Sequence, residues 1–311
     1  MKDISLHPVI GRFAPSPTGP LHLGSIIAAV ASFLSARHDA QGRWLLRIDD
    51  LDQPRIIAGA SDAIQADLER LGLHHDGPIV FQSTRAERYH EVLKTLAREG
   101  WTYPCSCSRK EILASAPHQG EEGPIYPGTC LKAPPPSGQG TACRVQTNDT
   151  LISFTDLVQG EFTQNVRRDV GDFVLQRSDG IFAYQLATVI DDHDCGINLV
   201  VRGQDLISST ARQIHLMECL GWPTPRYAHI PLAIAADGHK ISKRHQIQSP
   251  CDIYSPQQIL CFSFKFLGLA PPIELQRDDV DTLLQWAVEK FSFNLIPTAN
   301  RSIDLTRCIQ S

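Results

Sequence analysis

The stretch Arg12-Phe13-Ala14-Pro15-Ser16-Pro17-Thr18-Gly19-Pro20-Leu21-His22-Leu23-Gly24-Ser25 predicts the fold of the chain around it. It joins a short strand (9–13), rich in β-branched and aromatic residues, to a helix that begins near Gly24 and is apolar on most faces. The prolines and Gly19 interrupt the strand and force a tight loop. A helix N-terminus presents unpaired backbone N–H groups and a positive dipole, so this loop is a candidate phosphate site.

Two residues of the loop have chemistry that suits a nucleotide. Gly24 has no side chain, so a base or ribose can approach the backbone there. His22 lies just before the helix, where its imidazole can donate a hydrogen bond to a phosphate oxygen. We therefore expect His22 and Gly24 to contact the phosphates or sugar of the bound nucleotide.

The composition is that of a soluble globular protein, with 42% hydrophobic and 20% charged residues. Residues 1–7 lack the apolar core of a signal peptide, and no stretch approaches the ~20 apolar residues of a membrane span. Nine cysteines, an odd number, favour reduced thiols and metal binding over a disulfide framework. We expect a cytoplasmic monomer without membrane contact. The net charge of −5 argues against indiscriminate nucleic-acid binding, so an RNA partner needs a local basic surface.

Strands and helices alternate along most of the chain, which predicts a doubly wound, Rossmann-type α/β fold. The sequence favours strands over 43–48, 172–177, 197–203 and 227–234, and helices over 58–71, 85–98, 209–220, 256–267 and 280–291. Charged side chains at the carboxyl ends of strands lie where such sheets bind ligands. Asp49 ends one strand, and Arg202 ends another with a planar fork that suits a carboxylate. We interpret Asp191-Asp192-His193-Asp194 as a charged loop at the rim of the site.

Four segments follow from these patterns. Residues 1–100 form the first half of the catalytic domain, 101–150 an insertion rich in Pro and Gly, and 151–244 the second half. Residues 245–311 form a short helical tail. The second half ends in Gly238-His-Lys240-Ile-Ser-Lys243-Arg, whose three cations on a short loop indicate a mobile anion clamp.

The insertion is too rich in loops to build a large core, so a structural metal is the expected compensation. It carries Cys105, Cys107, Cys130 and Cys143, and thiolates are the ligands of closed structural zinc sites. From the residues alone, the fourth ligand is either Cys143 or His118.

His22-Leu-Gly-Ser25 resembles the HIGH signature of class I aminoacyl-tRNA synthetases, and Lys240-Ile-Ser-Lys243 resembles the KMSKS signature that accompanies it. The string 12–19 is similar to the glutamyl and glutaminyl branch of that family. The resemblance implies ATP with Mg²⁺ as the nucleotide and glutamate as the amino acid. It assigns His22, Gly24, Lys240 and Lys243 to catalysis, and His22, Gly24, Ser25 and Lys243 to ATP binding. It assigns glutamate binding to Arg12, Phe13, Ala14, Pro15, Ser16, Asp49, Tyr184 and Arg202.

Two features of the resemblance concern single positions. The family has Glu where this chain has Asp49, which keeps the charge but shortens its reach by one methylene. Members that act on queuosine carry a Cys-x-Cys…Tyr-x-x-x-Cys zinc site, which falls on Cys105, Cys107, Tyr126 and Cys130.

The tail is shorter than the anticodon-binding regions of the synthetases that charge tRNA 3′ ends. This layout resembles a truncated branch of the family that transfers glutamate to the queuosine base of tRNA(Asp). We therefore expect glutamate, ATP and queuosine-containing tRNA(Asp) as substrates. Two alternatives remain: a minimal glutamyl-tRNA synthetase that charges the 3′ end, and a non-catalytic RNA- or metal-binding protein on a synthetase scaffold.

Overall fold

The loop quoted above connects the first strand to the first helix in a computed structural model that describes residues 7–120, 123–136, 140–234 and 249–302. The strands described there are β1 Ile10–Phe13, β2 Arg43–Ile48, β3 Val80–Phe81, β4 Thr102–Cys105, β5 Gln119–Gly120, β6 Gly123–Pro124, β7 Ala142–Val145, β8 Leu151–Asp156, β9 Gly160–Asn165, β10 Val174–Gln176, β11 Leu199–Gly203, β12 Arg226–Ile230, β13 Ala233–Ile234 and β14 Arg301–Ser302. The helices are α1 Leu23–Arg37, α2 Ala60–Arg70, α3 Ala86–Arg98, α4 Arg109–Ser115, α5 Thr129–Lys132, α6 Val166–Asp169, α7 Tyr184–Asp194, α8 Ile207–Leu220, α9 Pro250–Ile253, α10 Pro256–Phe266 and α11 Val280–Lys290. The predicted anion clamp, with Lys240 and Lys243, lies outside the described residues.

Two sets of parallel strands meet at the centre of the fold. β1 pairs with β2 and β2 with β3, while β11 pairs with β12 and β12 with β8. β1 and β11 run beside each other, since the N–H of Asn198 donates to the carbonyl of Ile10 at 3.1 Å. The strand order therefore reverses between β1 and β11, which is the topological switch point of a doubly wound sheet.

The two faces of this sheet bury separate apolar cores. Leu199 and Val201 of β11 belong to one core, and Val200 between them belongs to the other, as alternation along a strand requires. The first core packs α1 against α10 and α11, and the second contains residues of α3, α7 and α8. Helices on both faces of a parallel sheet confirm the predicted Rossmann-type α/β class.

The prediction of a charged loop over 191–194 is wrong. These residues form the last turn of α7, and both Asp191 and Asp192 are buried. Their carboxylates tolerate burial because arginines pair with them: Arg85 with Asp191, and Arg12 with Asp192. The helical period that begins at Tyr184 continues through the acidic residues, and the charged composition concealed it.

The insertion forms an antiparallel sheet of its own in which β7 lies between β4 and β10. β10 comes from the segment assigned to the second half of the catalytic domain, so the sheet spans the proposed boundary at residue 150. The four-segment division stays a proposal. Within the described part of the chain, no helix has the length and apolar character needed to cross a membrane.

Candidate active site

A cavity of about 330 Å³ opens at the carboxyl ends of β1 and β11, at the switch point where doubly wound sheets bind ligands. The residues predicted for catalysis, ATP binding and glutamate binding that the structure describes all line it: Arg12, Phe13, Ala14, Pro15, Ser16, His22, Gly24, Ser25, Asp49, Tyr184 and Arg202. Residues far apart in sequence thus meet at one place. The individual roles assigned to them stay predictions.

His22 is the N-cap of α1. Its Nδ1 accepts a hydrogen bond from the backbone N–H of Ser25 at 3.1 Å, and its Nε2 lies 3.1 Å from the Ser25 hydroxyl oxygen. Because Nδ1 is an acceptor, a neutral ring carries its proton on Nε2. The cap therefore fixes the ring at the start of the helix, with Nε2 facing the Ser25 hydroxyl.

A buried charge network supports the other side of the cavity. Asp192 accepts hydrogen bonds from Arg12 Nε at 3.1 Å and from Arg47 at 2.6 Å. Burial disfavours its ionised form, but the charges of Arg12 and Arg47 outweigh burial and lower the pKa of Asp192. Arg47 also binds Asp49, with its Nε 2.6 Å from that carboxylate, although burial still raises the pKa of Asp49. Arg47 thus holds Asp49 in place at the cavity wall.

Arg202 has a different environment. Its guanidinium donates to His229 Nε2 at 3.0 Å, to the Thr210 hydroxyl at 2.9 Å and to the Tyr184 hydroxyl at 3.3 Å, and lies over the ring of Tyr227. The residue is 5% exposed. Within the described ranges it forms no ion pair with a carboxylate, unlike Arg12 and Arg47. A buried cation beside an open cavity without an acidic partner suits an anionic ligand.

Sequence reasoning missed the residues that hold these arginines, namely Arg47, Asp156, Asp192, Thr210 and His229. Asp192 carried a detectable signal, because Tyr184, Thr188 and Asp192 recur at helical spacing and so share one face of α7. No spacing pattern distinguishes Asp156 or His229, because each is a polar residue among others in its strand.

The insertion brings together the proposed metal ligands. The sulfur atoms of Cys105, Cys107 and Cys130 lie within 4.8 Å of one another, with 3.4 Å between those of Cys107 and Cys130. The hydroxyl oxygen of Tyr126 lies 3.4 Å from the Cys105 sulfur and 3.6 Å from the Cys107 sulfur. Burial raises the pKa of Cys130, but hydrogen bonds from Tyr126 and its other neighbours bring it down to about 7.

This donor set fits a structural zinc ion. Zn–S bonds of about 2.3 Å place tetrahedral sulfurs roughly 3.8 Å apart, close to the observed separations. The two other candidates for the fourth ligand do not join the cluster. Cys143 packs against the second core, and His118 bonds the carbonyl of Arg168 at 2.8 Å. The structure therefore places Tyr126, and neither of these residues, beside the three thiols.

Comparison with known proteins agrees with this geometry. Residues 8–264 match the family of class I tRNA synthetases (E and Q), catalytic domain. A glutamyl-Q tRNA(Asp) synthetase from Geobacter sulfurreducens is 47% identical over 94% of this chain and 95% of its own. One from Dechloromonas aromatica is 46% identical over 93% and 96%. The crystal structure of a glutamate tRNA ligase from Elizabethkingia meningosepticum, in complex with its amino acid, superimposes with a TM-score of 0.80 at 25% identity. That alignment covers 97% of this chain and 68% of the ligase.

Proposed function

The chain belongs to the glutamyl-Q tRNA(Asp) synthetases, within the class I glutamyl and glutaminyl tRNA synthetase family, and we propose that it joins glutamate to the queuosine base of tRNA(Asp). The cavity at the switch point carries this proposal. It combines a helix N-terminus suited to phosphates with a buried arginine suited to the carboxylate of an amino acid.

The first step forms glutamyl-adenylate. An oxygen of the glutamate α-carboxylate attacks the α-phosphorus of ATP in line, and the bond to the β-phosphate breaks to release pyrophosphate. The protein needs no nucleophile of its own for this step, only alignment of the reactants and stabilisation of charge on the phosphates. His22, the α1 N-terminus and Lys243 supply that stabilisation, and Mg²⁺ accompanies the ATP.

Glutamate binds across the strand ends in this proposal. Arg202 binds the side-chain carboxylate of glutamate. Of the arginines that line the described cavity, it is the one that forms no ion pair with a carboxylate of the protein. Asp49 accepts from the α-amino group, held by Arg47. Arg12 lies beside them with its Nε bound to Asp192.

The second step transfers glutamate to RNA. A hydroxyl of the cyclopentene ring of queuosine attacks the carbonyl carbon of the adenylate, AMP leaves and the hydroxyl proton is released. An ester bond joins glutamate to the modified base. The insertion that faces this RNA is stabilised by zinc on Cys105, Cys107, Tyr126 and Cys130.

Transfer of labelled glutamate tests the proposal. The protein is incubated with ATP, labelled glutamate and tRNA from cells that make queuosine or lack it. A second preparation of each tRNA, including tRNA(Asp) and tRNA(Glu), has its 3′-terminal adenosine removed. We expect label only in queuosine-containing tRNA(Asp), with or without that adenosine.

Other outcomes point to the alternatives. Label on queuosine-free tRNA(Glu), lost with the terminal adenosine, identifies a compact enzyme that charges the 3′ end, as the similarity to a glutamate tRNA ligase allows. If the protein neither labels tRNA nor supports ATP–pyrophosphate exchange, it is a non-catalytic protein on this scaffold.

A further inference from the structure

A buried chain of three side chains runs across the sheet behind the cavity. Asp156 ends β8, His229 lies in β12 and Arg202 lies in β11. The parallel register places Arg202 beside His229, and β12 also pairs with β8. The side chains of Asp156 and His229 are fully buried, and only Arg202 reaches the cavity.

The hydrogen bonds of this chain allow a single protonation state of the imidazole. Asp156 Oδ2 lies 2.6 Å from His229 Nδ1, and a carboxylate only accepts, so Nδ1 carries a proton. Nε2 lies 3.0 Å from Nε of Arg202, which only donates, so Nε2 has to accept. His229 is therefore the neutral Nδ1–H tautomer. Burial, opposed by Asp156 and reinforced by Arg202, lowers the pKa of His229, in keeping with a neutral ring.

Thr210 completes the arrangement. Its hydroxyl oxygen lies 3.3 Å from Nε2 of His229 and 2.9 Å from a terminal nitrogen of Arg202. The hydroxyl accepts from the guanidinium. The hydroxyl proton, at the longer distance, shares the single lone pair of Nε2 with Nε of Arg202, which matches the acceptor role of Nε2. Among the residues that the structure describes, three of the five N–H groups of Arg202 thus have protein partners, and two remain for a ligand.

We propose that Asp156 and His229 are positioning residues for glutamate: Asp156 sets the tautomer of His229, and His229 holds Arg202 with its free N–H groups directed at the amino-acid carboxylate. This inference rests on the proposed function, because it concerns the same site. Neither residue lines the cavity, so both act through Arg202.

Asp156 also has a structural role that the experiment must separate. Its Oδ1 accepts backbone N–H groups of Val158 at 3.0 Å, of Gln159 at 2.9 Å and of His229 at 3.0 Å. In Asp156→Asn, the remaining oxygen keeps these three bonds. The second contact of the His229 backbone N–H, 3.1 Å from Oδ2, is lost, while its bond to Oδ1 stays. The amide nitrogen faces His229 Nδ1. That nitrogen donates, so Nδ1 has to accept and the proton moves to Nε2. The substitution thereby places the Nε2–H of His229 against the N–H of Arg202 Nε, two donors facing each other, while the side chain at position 156 keeps nearly the same shape.

The test compares ATP–pyrophosphate exchange and imidazole ¹⁵N NMR spectra of the full-length chain and its variants. Asp156→Asn should raise the KM for glutamate roughly 10- to 100-fold, as expected for loss of a hydrogen bond to a charged group, and leave the KM for ATP unchanged. The His229 resonances should show the proton moving from Nδ1 to Nε2. Asp149→Asn makes the same change on an exposed residue before β8 and should have no effect.

Two substitutions at His229 separate positioning from folding. Gln offers an oxygen near the position of Nε2. His229→Gln should therefore keep the KM for glutamate within about threefold of the wild-type value, a smaller change than the loss of one hydrogen bond to a charged group would cause. His229→Met has no such acceptor and should match Asp156→Asn.

Several results would overturn the inference. These are an unchanged KM for glutamate in Asp156→Asn, a joint rise in both KM values, or equal KM values for glutamate in the Gln and Met variants. The last comparison decides the matter even if Asp156→Asn does not fold. Absence of exchange in the wild-type protein would instead reject the proposed function.

Discussion

At the scale of single residues, the site is defined by which arginines have acidic partners. Arg12 and Arg47 share Asp192, and this pairing offsets the cost of burying their charges. Arg202 is equally buried but is bonded to neutral groups. In the proposed function, the carboxylate of the substrate supplies the missing charge, which couples binding energy to recognition of a carboxylate.

Replacing Arg202 by Met should raise the KM for glutamate at least about thirtyfold, because one partner of a buried charge pair is lost. The KM for ATP should stay within about twofold, since the site that we propose for the nucleotide is the α1 N-terminus. Steady-state ATP–pyrophosphate exchange measures both constants. Arg226→Met, on the exposed start of the neighbouring strand, is the matched control. Equal effects of the two substitutions on the KM for glutamate would contradict the role of Arg202.

At the scale of elements, α1 and the insertion each depend on a local arrangement of side chains. The N-terminus of α1 is shaped by His22, whose ring bonds the first turn. The insertion has a small core of its own, in which Tyr103, Cys105, Tyr126 and Cys130 are buried. A core of that size is small for a segment of mostly loop, and the structural metal ion that we propose would compensate for it there.

Gly24→Ala should slow adenylate formation roughly 10- to 100-fold without destabilising the fold. A Cβ at this position would lie 3.2 Å from Cε1 and Nδ1 of the His22 ring, so the ring has to move. The backbone of Gly24 does not need glycine, because its φ is not positive, and alanine stabilises a helix by up to about 1 kcal/mol. Single-turnover adenylate formation and the thermal midpoint measure the two effects. Gly140→Ala, in open space, should change neither. If Gly24→Ala lowers both the rate of adenylate formation and the thermal midpoint, Gly24 has only a packing role.

Tyr126→Phe tests the fourth metal ligand. It should weaken zinc binding by more than the roughly 10- to 100-fold that loss of an outer-shell partner costs, because a ligand itself is removed. Competition with a chromogenic chelator measures the affinity, and metal analysis measures the stoichiometry. Cys143→Ser should leave both unchanged. The reverse result would make Cys143 the ligand, and a wild-type protein without zinc would reject the metal site.

At the scale of the whole molecule, the C-terminal helices belong to the same core as the active-site helix. Phe264 of α10 and Leu283 of α11 are buried in the core that contains α1. Gly72 lies against this tail as well, since a Cβ there would meet Val280 at 2.6 Å. The tail is therefore part of the support for α1.

Leu283→Ala should lower the free energy of unfolding by about 2–5 kcal/mol, the usual cost of such a cavity in a core. Amides of α1 should lose protection in native-state hydrogen exchange together with those of α11, because both pack in one core. Ile273→Ala, at a side chain that is 75% exposed, is the control and should change neither. Loss of protection confined to α11 would mean that the tail is an independent unit.

The sequence by itself determined many of the elements and the family. Apolar periodicity predicted α10 and α11, and the strand 43–48 matches β2 at both ends. The motif around His22 identified the class of protein, because a helix N-terminus and its loop are local structures that neighbouring residues in the sequence specify. The thiols of Cys105 and Cys107, two positions apart, indicated a metal site for the same reason.

Tertiary structure alone decided how the side chains support one another. Asp192 pairs with Arg12 from 180 positions away, and Asp156 meets His229 from 73 positions away. The residues 191–194 were mistaken for a loop because their charges suggest solvent, whereas arginines from other elements make their burial possible. Such partners are set by the order and register of strands, and no local pattern in the sequence specifies them.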